Sequence, residues 1–123
     1  MPDTDIVVRL TDVYPDGRSM LIMDNIMRAR YRASPDFTSE SFLTPGEPAR
    51  LTFDLGPTSY LLNAGHRLRV SVASSNASRF APNPNTGAHF LEEGEAGQIA
   101  HTTILHDAAH PSAIILPLAR NID

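Results

Sequence analysis

The sequence predicts an all-β domain built as a sandwich of packed antiparallel sheets, and three observations carry that expectation. Several short segments alternate apolar with polar residues at a period of two. Ten prolines and seven glycines punctuate them. No window of a dozen residues repeats apolar side chains at spacings of three and four, as an amphipathic helix would. At 123 residues the chain reads as one domain, 1–123, with one core. A hydrophobic content of 41% and a charged fraction of 20% fit a globular protein.

Taken in chain order, Ile6 to Val13 is richer in β-branched residues than a helix prefers, and it runs into Tyr14-Pro15-Asp16-Gly17. Pro, Asp and Gly each favour a tight turn, so a hairpin into the next segment is expected. That segment, Ser19 to Tyr31, is long and methionine-rich and reads as a strand pair or a bulged strand. Its end alternates Met27, Ala29 and Tyr31 with Arg28, Arg30 and Arg32, which places the three arginines on one strand face. Residues 32–48 are polar and broken by Ser34-Pro35 and Pro45-Gly46. Ala49 to Leu55 has the plainest strand alternation in the chain. A single turn from Pro57 to Asn63, before Gly65, is the best helical candidate. His66 to Ser74 alternates again, with Leu68, Val70 and Val72 facing one way and Arg67, Arg69 and Ser71 the other, and should be half buried. Residues 75–97 read as loop. Ile99 to Leu105 and Ala113 to Leu118 are two apolar runs joined by a turn at His106 to Pro111, the last run expected to be buried on both faces. Six or seven such strands with long connections favour Greek-key or jelly-roll links over a meander.

Charge and composition exclude several functions. The net charge of −4 gives no attraction for phosphate backbones, and no local basic patch overrides it, so no nucleic acid partner is expected. The chain has no cysteine, which excludes disulfides and thiolate-bound zinc. Residues 1–5 are polar and acidic and lack the basic start and apolar run of a secretory signal, so a cytoplasmic location is favoured. No stretch approaches a membrane span, and no membrane partner is expected. All ten basic residues are arginine, a usage from which no function is read.

No constellation points to chemistry. The nucleophile elbow Gly-x-Ser-x-Gly does not occur, and Ser74, Ser75 and Ser78 lie at a strand end and in a loop, so no catalytic residue is assigned. His106 and His110, with Asp107, would share a face for a metal if the segment were helical. Pro111 and the flanking β-runs favour a turn instead, and no metal or other cofactor is assigned. His66, His89 and His101 are too far apart in sequence to group. Asp3, Asp5, Asp12 and Asp16 do not follow the spacing of a calcium loop and read as turn and edge carboxylates. Arg28, Arg30 and Arg32, with Arg67 and Arg69 beside them, would grip an acidic partner, although a solvated face paired with Asp or Glu across the strands is favoured. Tyr14, Tyr31, Tyr60, Phe80 and Phe90 would line a sugar-binding surface, with core and loop-anchoring roles the default.

The stretch DTDIVVRLTDVYPDGRSMLIMDNIMRARYR resembles the C-terminal domain of the X-prolyl dipeptidyl peptidase and cocaine esterase family of serine hydrolases. The likeness continues through LTPGEPARLTFDLGPTSYLLNAGHRLRVSVASSNASRFAPNPNTG and HDAAHPSAIILPL, covering almost all of residues 3 to 118 in order. The resemblance implies a galactose-binding-like β-jelly-roll that packs on a separate α/β-hydrolase domain holding the serine, aspartate and histidine. It implies a parent reaction of acyl transfer to water, with the jelly-roll stabilising the assembly and helping to wall the substrate cleft. From loop length and polarity, Ser74 to Gly87 is the candidate contact loop, with Ser75, Asn76, Arg79, Phe80, Asn83 and Asn85 as its candidate residues. In relatives the jelly-roll begins before the DTD motif, so the sandwich is expected to be incomplete at its N-terminal edge. An exposed sheet edge invites a strand from a second copy or another chain, and a homo-oligomer is expected. A free-standing carbohydrate- or peptide-binding module is the alternative.

Overall fold

The computed structural model describes residues 2–119. Three strands, β1 (Asp5–Val13), β2 (Ser19–Arg28) and β3 (Arg67–Ala73), form one antiparallel sheet in the order β2-β1-β3. The expected all-β class holds; the one helical element among the described residues is a 3₁₀ turn at Ala29–Tyr31.

The Tyr14-Pro15-Asp16-Gly17 turn joins β1 to β2 as the sequence predicts. The Tyr14 amide donates to the Arg18 carbonyl at 2.8 Å, and the Gly17 amide to the Tyr14 carbonyl at 2.9 Å. Gly17 sits at φ 90°, a conformation that a side chain would strain. Asp5 pairs with Arg28, and the register runs unbroken to Leu10 opposite Met23. Thr11 then faces Leu21, so Ile22 is an extra residue and β2 is a bulged strand, not a strand pair.

Alternation sorts the sheet into two faces. Directly opposed residues share a face, so Val8, Leu10 and Asp12 lie with Asn25, Met23, Leu68, Val70 and Val72, while Asp5, Val7, Arg9 and Val13 lie with Arg28, Ile26 and Asp24. Chain segments without ladder bonds cross both faces. On the first, the Asn25 side-chain amide donates to the Asp54 carbonyl at 2.6 Å, and Asp12 accepts from Tyr60 and His66. On the second, the loop after β3 returns to Asp24 and Asp5. The buried apolar side chains among the described residues are Val7, Leu10, Val13, Ala29 and Pro84, so the core lies along the central strand and under the loop that carries Pro84.

Several expectations are corrected. Ala49 to Leu55 is not a ladder strand; yet Leu51, Phe53 and Leu55 are half-buried and Thr52 and Asp54 exposed, so the alternation expresses itself as side-chain packing. The Pro57 to Asn63 turn is not helical. Within His66 to Ser74 the strand forms, but Val70 and Val72 are exposed because β3 is an edge with little laid over it. Ile99 to Leu105 and Ala113 to Leu118 bend back at 107–110 as expected but form no ladder. The last run, expected to be buried on both faces, is exposed: Ile115 is 92% accessible, because no second sheet faces it. Three strands therefore replace the six or seven expected among the described residues.

The whole chain exposes 9293 Å². A compact monomer of its 13.4 kDa mass would expose about 6,500 Å². The chain thus exposes about 2,800 Å² more than a compact monomer would, and Ile99, Ile115 and Leu118 are among its exposed apolar side chains.

Candidate functional site

The loop from Ser74 to Gly87 divides into residues that hold it and residues that it presents. Asn76 is buried: it accepts from the Arg9 guanidinium, and its amide donates to Asp24 Oδ2 at 2.8 Å. Asn83 donates to Asp3 Oδ2 at 2.9 Å and Asp5 Oδ1 at 2.8 Å, and its oxygen accepts from the Asn85 amide at 2.9 Å. Asn85, in the left-handed region at φ 60°, donates from its side chain to the Gln98 carbonyl at 2.8 Å. Asn76 and Asn83 clamp the loop to the sheet, and Asn85 ties it to the segment at Gln98. Ser75 and Arg79 face solvent, Arg79 binding Asp24 through its tip, and its guanidinium lies 5.3 Å from the half-buried Phe80 ring. Of the six candidates, Ser75, Arg79 and Phe80 are the ones left available to a partner.

Beneath the clamp lies an ion-pair ladder. Extending the Asp5–Arg28 register outward places Asp3 opposite Arg30. Asp5 receives Arg28 Nε at 3.0 Å, and Asp3 receives Arg30 Nε at 2.8 Å with both side chains fully buried. Arg30 also donates to the Ala88 carbonyl at 2.9 Å and reaches Glu40 at 3.3 Å. The arginines therefore do not share one solvated face: the strand ends at Arg28, the 3₁₀ turn swings Arg30 inward, and Arg32 binds back to the Ala29 and Ser41 carbonyls. Arg67 and Arg69 are not beside them, since Arg67 pairs with Val13 at the far end of β1. Glu40 accepts from the Tyr31 hydroxyl at 2.9 Å; that bond and Arg30 outweigh the opposing effect of burial and hold its carboxyl below the usual range.

Next to the ladder is a cleft of about 500 Å³ lined by Tyr31, Phe37, Phe80, His89 and Phe90 over the Asp5–Arg28 pair. It gathers three of the five aromatics singled out in the sequence. Phe37 is an addition that sequence reasoning missed. Its ring meets Tyr31 edge-on at 5.3 Å, and its backbone is held at φ 59° by a turn in which Ser34 and Asp36 accept from the following amides. Ser-Pro-Asp before Phe37 is the signal for that turn, but nothing in it marks the ring as a wall of a cleft.

Tyr60 and Tyr14 belong elsewhere. Asp12 is buried and accepts from the Tyr60 hydroxyl at 2.7 Å and His66 Nδ1 at 2.9 Å, while Tyr14 packs on the His66 ring at 4.3 Å. Burial pushes the Asp12 carboxyl up, but the bonds from His66 and Tyr60 prevail and hold it below its ordinary value. The same hydrogen bond, aided by burial, pushes the Tyr60 hydroxyl up to about 12. Asp3, Asp5, Asp12 and Asp16 thus each face a nitrogen donor rather than one another, Asp16 taking Arg18 at 2.7 Å. His110 and Asp107 meet at 3.2 Å in a turn where Asp107 accepts the Ala109 and His110 amides at 2.8 Å; His106 has no part in that contact.

The assembled features define a β-domain organised around structural clamps and uncovered apolar surface. The chain belongs to the family described as the X-Pro dipeptidyl-peptidase C-terminal non-catalytic domain, whose model matches residues 1–115. It is 34% identical over 119 residues to the cocaine esterase of Rhodococcus sp., across 96% of this chain. It is 43% identical over 94 residues, 64% of the chain, to proteins of Mycobacterium bovis and Mycobacterium tuberculosis named as serine esterases. The chain spans 20% of the length of the cocaine esterase and 15% of each mycobacterial relative, so it corresponds to a minor part of larger hydrolase proteins.

Proposed function

We propose that the chain is the non-catalytic accessory β-sandwich, of jelly-roll type, of an X-Pro dipeptidyl-peptidase or cocaine-esterase-like serine hydrolase. It forms a single domain over 1–123, packs against an α/β-hydrolase domain or chain that supplies the catalytic serine, stabilises that assembly and helps to shape the cleft in which acyl groups are hydrolysed. A second copy of the chain is a further partner. The observation that carries the reading is the excess of about 2,800 Å² of surface, on the scale of an obligate interface, together with exposed large apolar side chains such as Ile99, Ile115 and Leu118. Ser75, Arg79 and Phe80 are presented on a loop that hydrogen bonds of Asn76, Asn83 and Asn85 hold in place. The purified chain is expected to leave p-nitrophenyl esters and Ala-Pro anilides unhydrolysed. Turnover by the chain alone would overturn the reading.

A binding module for carbohydrate or peptide is a second reading, favoured by the cleft that brings Tyr31, Phe37, Phe80 and Phe90 together. A glycan array with a thermal-shift screen separates the two: a ligand-dependent rise in melting temperature, lost on Phe37→Ala, supports the module.

A further inference from the structure

We infer that the aromatic cleft beside the ion-pair ladder receives an arginine side chain of another polypeptide, whose guanidinium lies against the Phe37 and Phe90 rings and donates to Glu40 Oε2. The inference names the ligand of the cleft. It rests on the binding-module reading above for the use of the cleft, and needs nothing from the accessory role.

The walls are aromatic and open. Four rings line the cleft, and those of Tyr31 and Phe37 stand at 84° to each other with centroids 5.3 Å apart, which gives two perpendicular walls. Phe37 and Phe90 are 67% and 66% exposed, so a side chain can enter while its main chain stays outside. Ring faces carry partial negative charge and attract a cation within about 6 Å of the centroid. The chain already uses this pairing: Arg18 lies 4.7 Å from the Tyr14 centroid, Arg30 5.1 Å from that of Phe42, and Arg79 5.3 Å from that of Phe80. Among the described residues no guanidinium of the chain covers Phe37 or Phe90.

The polar groups select the sign of the ligand. Arg28 is already engaged: Nε and Nη2 donate to Asp5 at 3.0 and 3.3 Å, and Nη1 donates to the His89 carbonyl at 2.9 Å. An anion would have to displace one of these bonds. Acceptor capacity remains at Glu40, which touches two residues of the cleft wall. Its Oε1 meets the Tyr31 hydroxyl at 2.9 Å, Arg30 Nη1 at 3.3 Å and His89 Nε2 at 3.4 Å, whereas Oε2 accepts no bond among the described residues and the side chain is 32% exposed. Around the cleft the carboxylates of Asp3, Asp5, Asp36 and Glu40 outnumber the guanidiniums of Arg28, Arg30 and Arg32. Charge therefore favours a cation. A sugar needs donors as well as acceptors, and the Arg28 and Tyr31 donors are committed to Asp5, His89 and Glu40.

A guanidinium suits these walls better than an ammonium. It is planar and weakly hydrated, so its face can lie on a ring while an edge N–H reaches Glu40. An ammonium would give up a strong hydration shell for one carboxylate oxygen.

NMR titration of the isotope-labelled chain with N-acetylarginine amide is expected to shift the Phe37, His89 and Phe90 amides, with a dissociation constant on the order of 1 mM. N-acetylcitrulline amide, which has the same shape without the charge, and Nα-acetyl-lysine amide should each bind about fivefold more weakly or worse. Phe37→Ala and Phe90→Ala should each weaken the arginine probe by about fivefold with an unchanged circular dichroism spectrum. Leu61→Ala, at a side chain 79% exposed and outside the cleft, should leave binding as it is. Glu40→Gln should weaken binding too; if that variant fails to fold because it disturbs Arg30, the two phenylalanine variants carry the test. Equal affinity for the arginine and citrulline probes, or unchanged binding in both phenylalanine variants, would overturn the inference. Tighter binding of n-propylguanidinium than of the capped arginine would overturn it as well, by assigning the cleft to a small molecule. A glycan response lost on Phe37→Ala, with no arginine response, removes the arginine and keeps the binding module; silence to both probes removes both.

Discussion

Residues 3–30 and residues 99–118 both read as β-forming and rich in apolar side chains, but only the first region closes on itself. In the first, β1 finds a partner on each side, Asp3 and Asp5 find Arg30 and Arg28, and the Asn76 and Asn83 side chains complete the polar valences. In the second, Ile99, Ile115 and Leu118 stand more than four-fifths exposed and no ladder forms. The difference teaches that strand propensity supplies a surface, whereas a strand requires an edge to pair with. The second region has the composition of a core layer and lacks the opposite layer.

The largest way to break the comparison is at the buried ion pair. Arg30→Leu is expected to cost about 3 kcal/mol or more in urea denaturation, because Asp3 is left charged and unpaired in the interior. The double variant Asp3→Leu/Arg30→Leu should recover most of that loss. A cavity test sharpens the contrast: Leu10→Ala should cost about 2–3 kcal/mol, while Ile115→Ser in the isolated chain should fall within about 0.5 kcal/mol of the unmodified protein. Releasing the loop clamp by Asn83→Ala should cost about 1–2 kcal/mol and accelerate proteolysis between Ser74 and Gly87. The smallest effect is the pH response at Asp12. Its carboxyl is held below 3.8, so it contributes stability that is present above that value and is lost as pH falls through the lower folded value. Asp12→Asn should flatten that acid limb in a melting-temperature series.

The hairpin, its turn, the bulged second strand and β3 were legible in the sequence because local signals specify them: β-branched alternation, Pro-Asp-Gly, and a register set by the turn. The buried pair was legible too, in retrospect. Asp3-x-Asp5 and Arg28-x-Arg30 share a spacing of two, and a hairpin register that joins Asp5 to Arg28 also brings Asp3 to Arg30. The favoured reading of these arginines, paired with Asp or Glu across the strands, holds for Arg28 and Arg30; the burial of Arg30 and the departure of Arg32 were not legible, since alternation carries no mark of where a strand ends. The contact loop was located from its length and polarity, but composition does not distinguish an asparagine that presents itself from one that clamps. Asn76 and Asn83 clamp because Asp24, Asp3 and Asp5 lie beneath them, a fact of tertiary placement. The segments at 49–55 and 113–118 carry genuine β patterning; their lack of ladders reflects missing partners, which no window of sequence contains.

Amide hydrogen exchange on the isolated chain tests the central contrast most directly. Slow exchange at Asp5–Val13 and Ser19–Arg28, with exchange near the unprotected rate across 99–118, is the result expected for a domain whose second region waits for an external cover. Protection of 99–118 equal to that of β1 would mean that this region finds its partners within the chain, and would contradict the account.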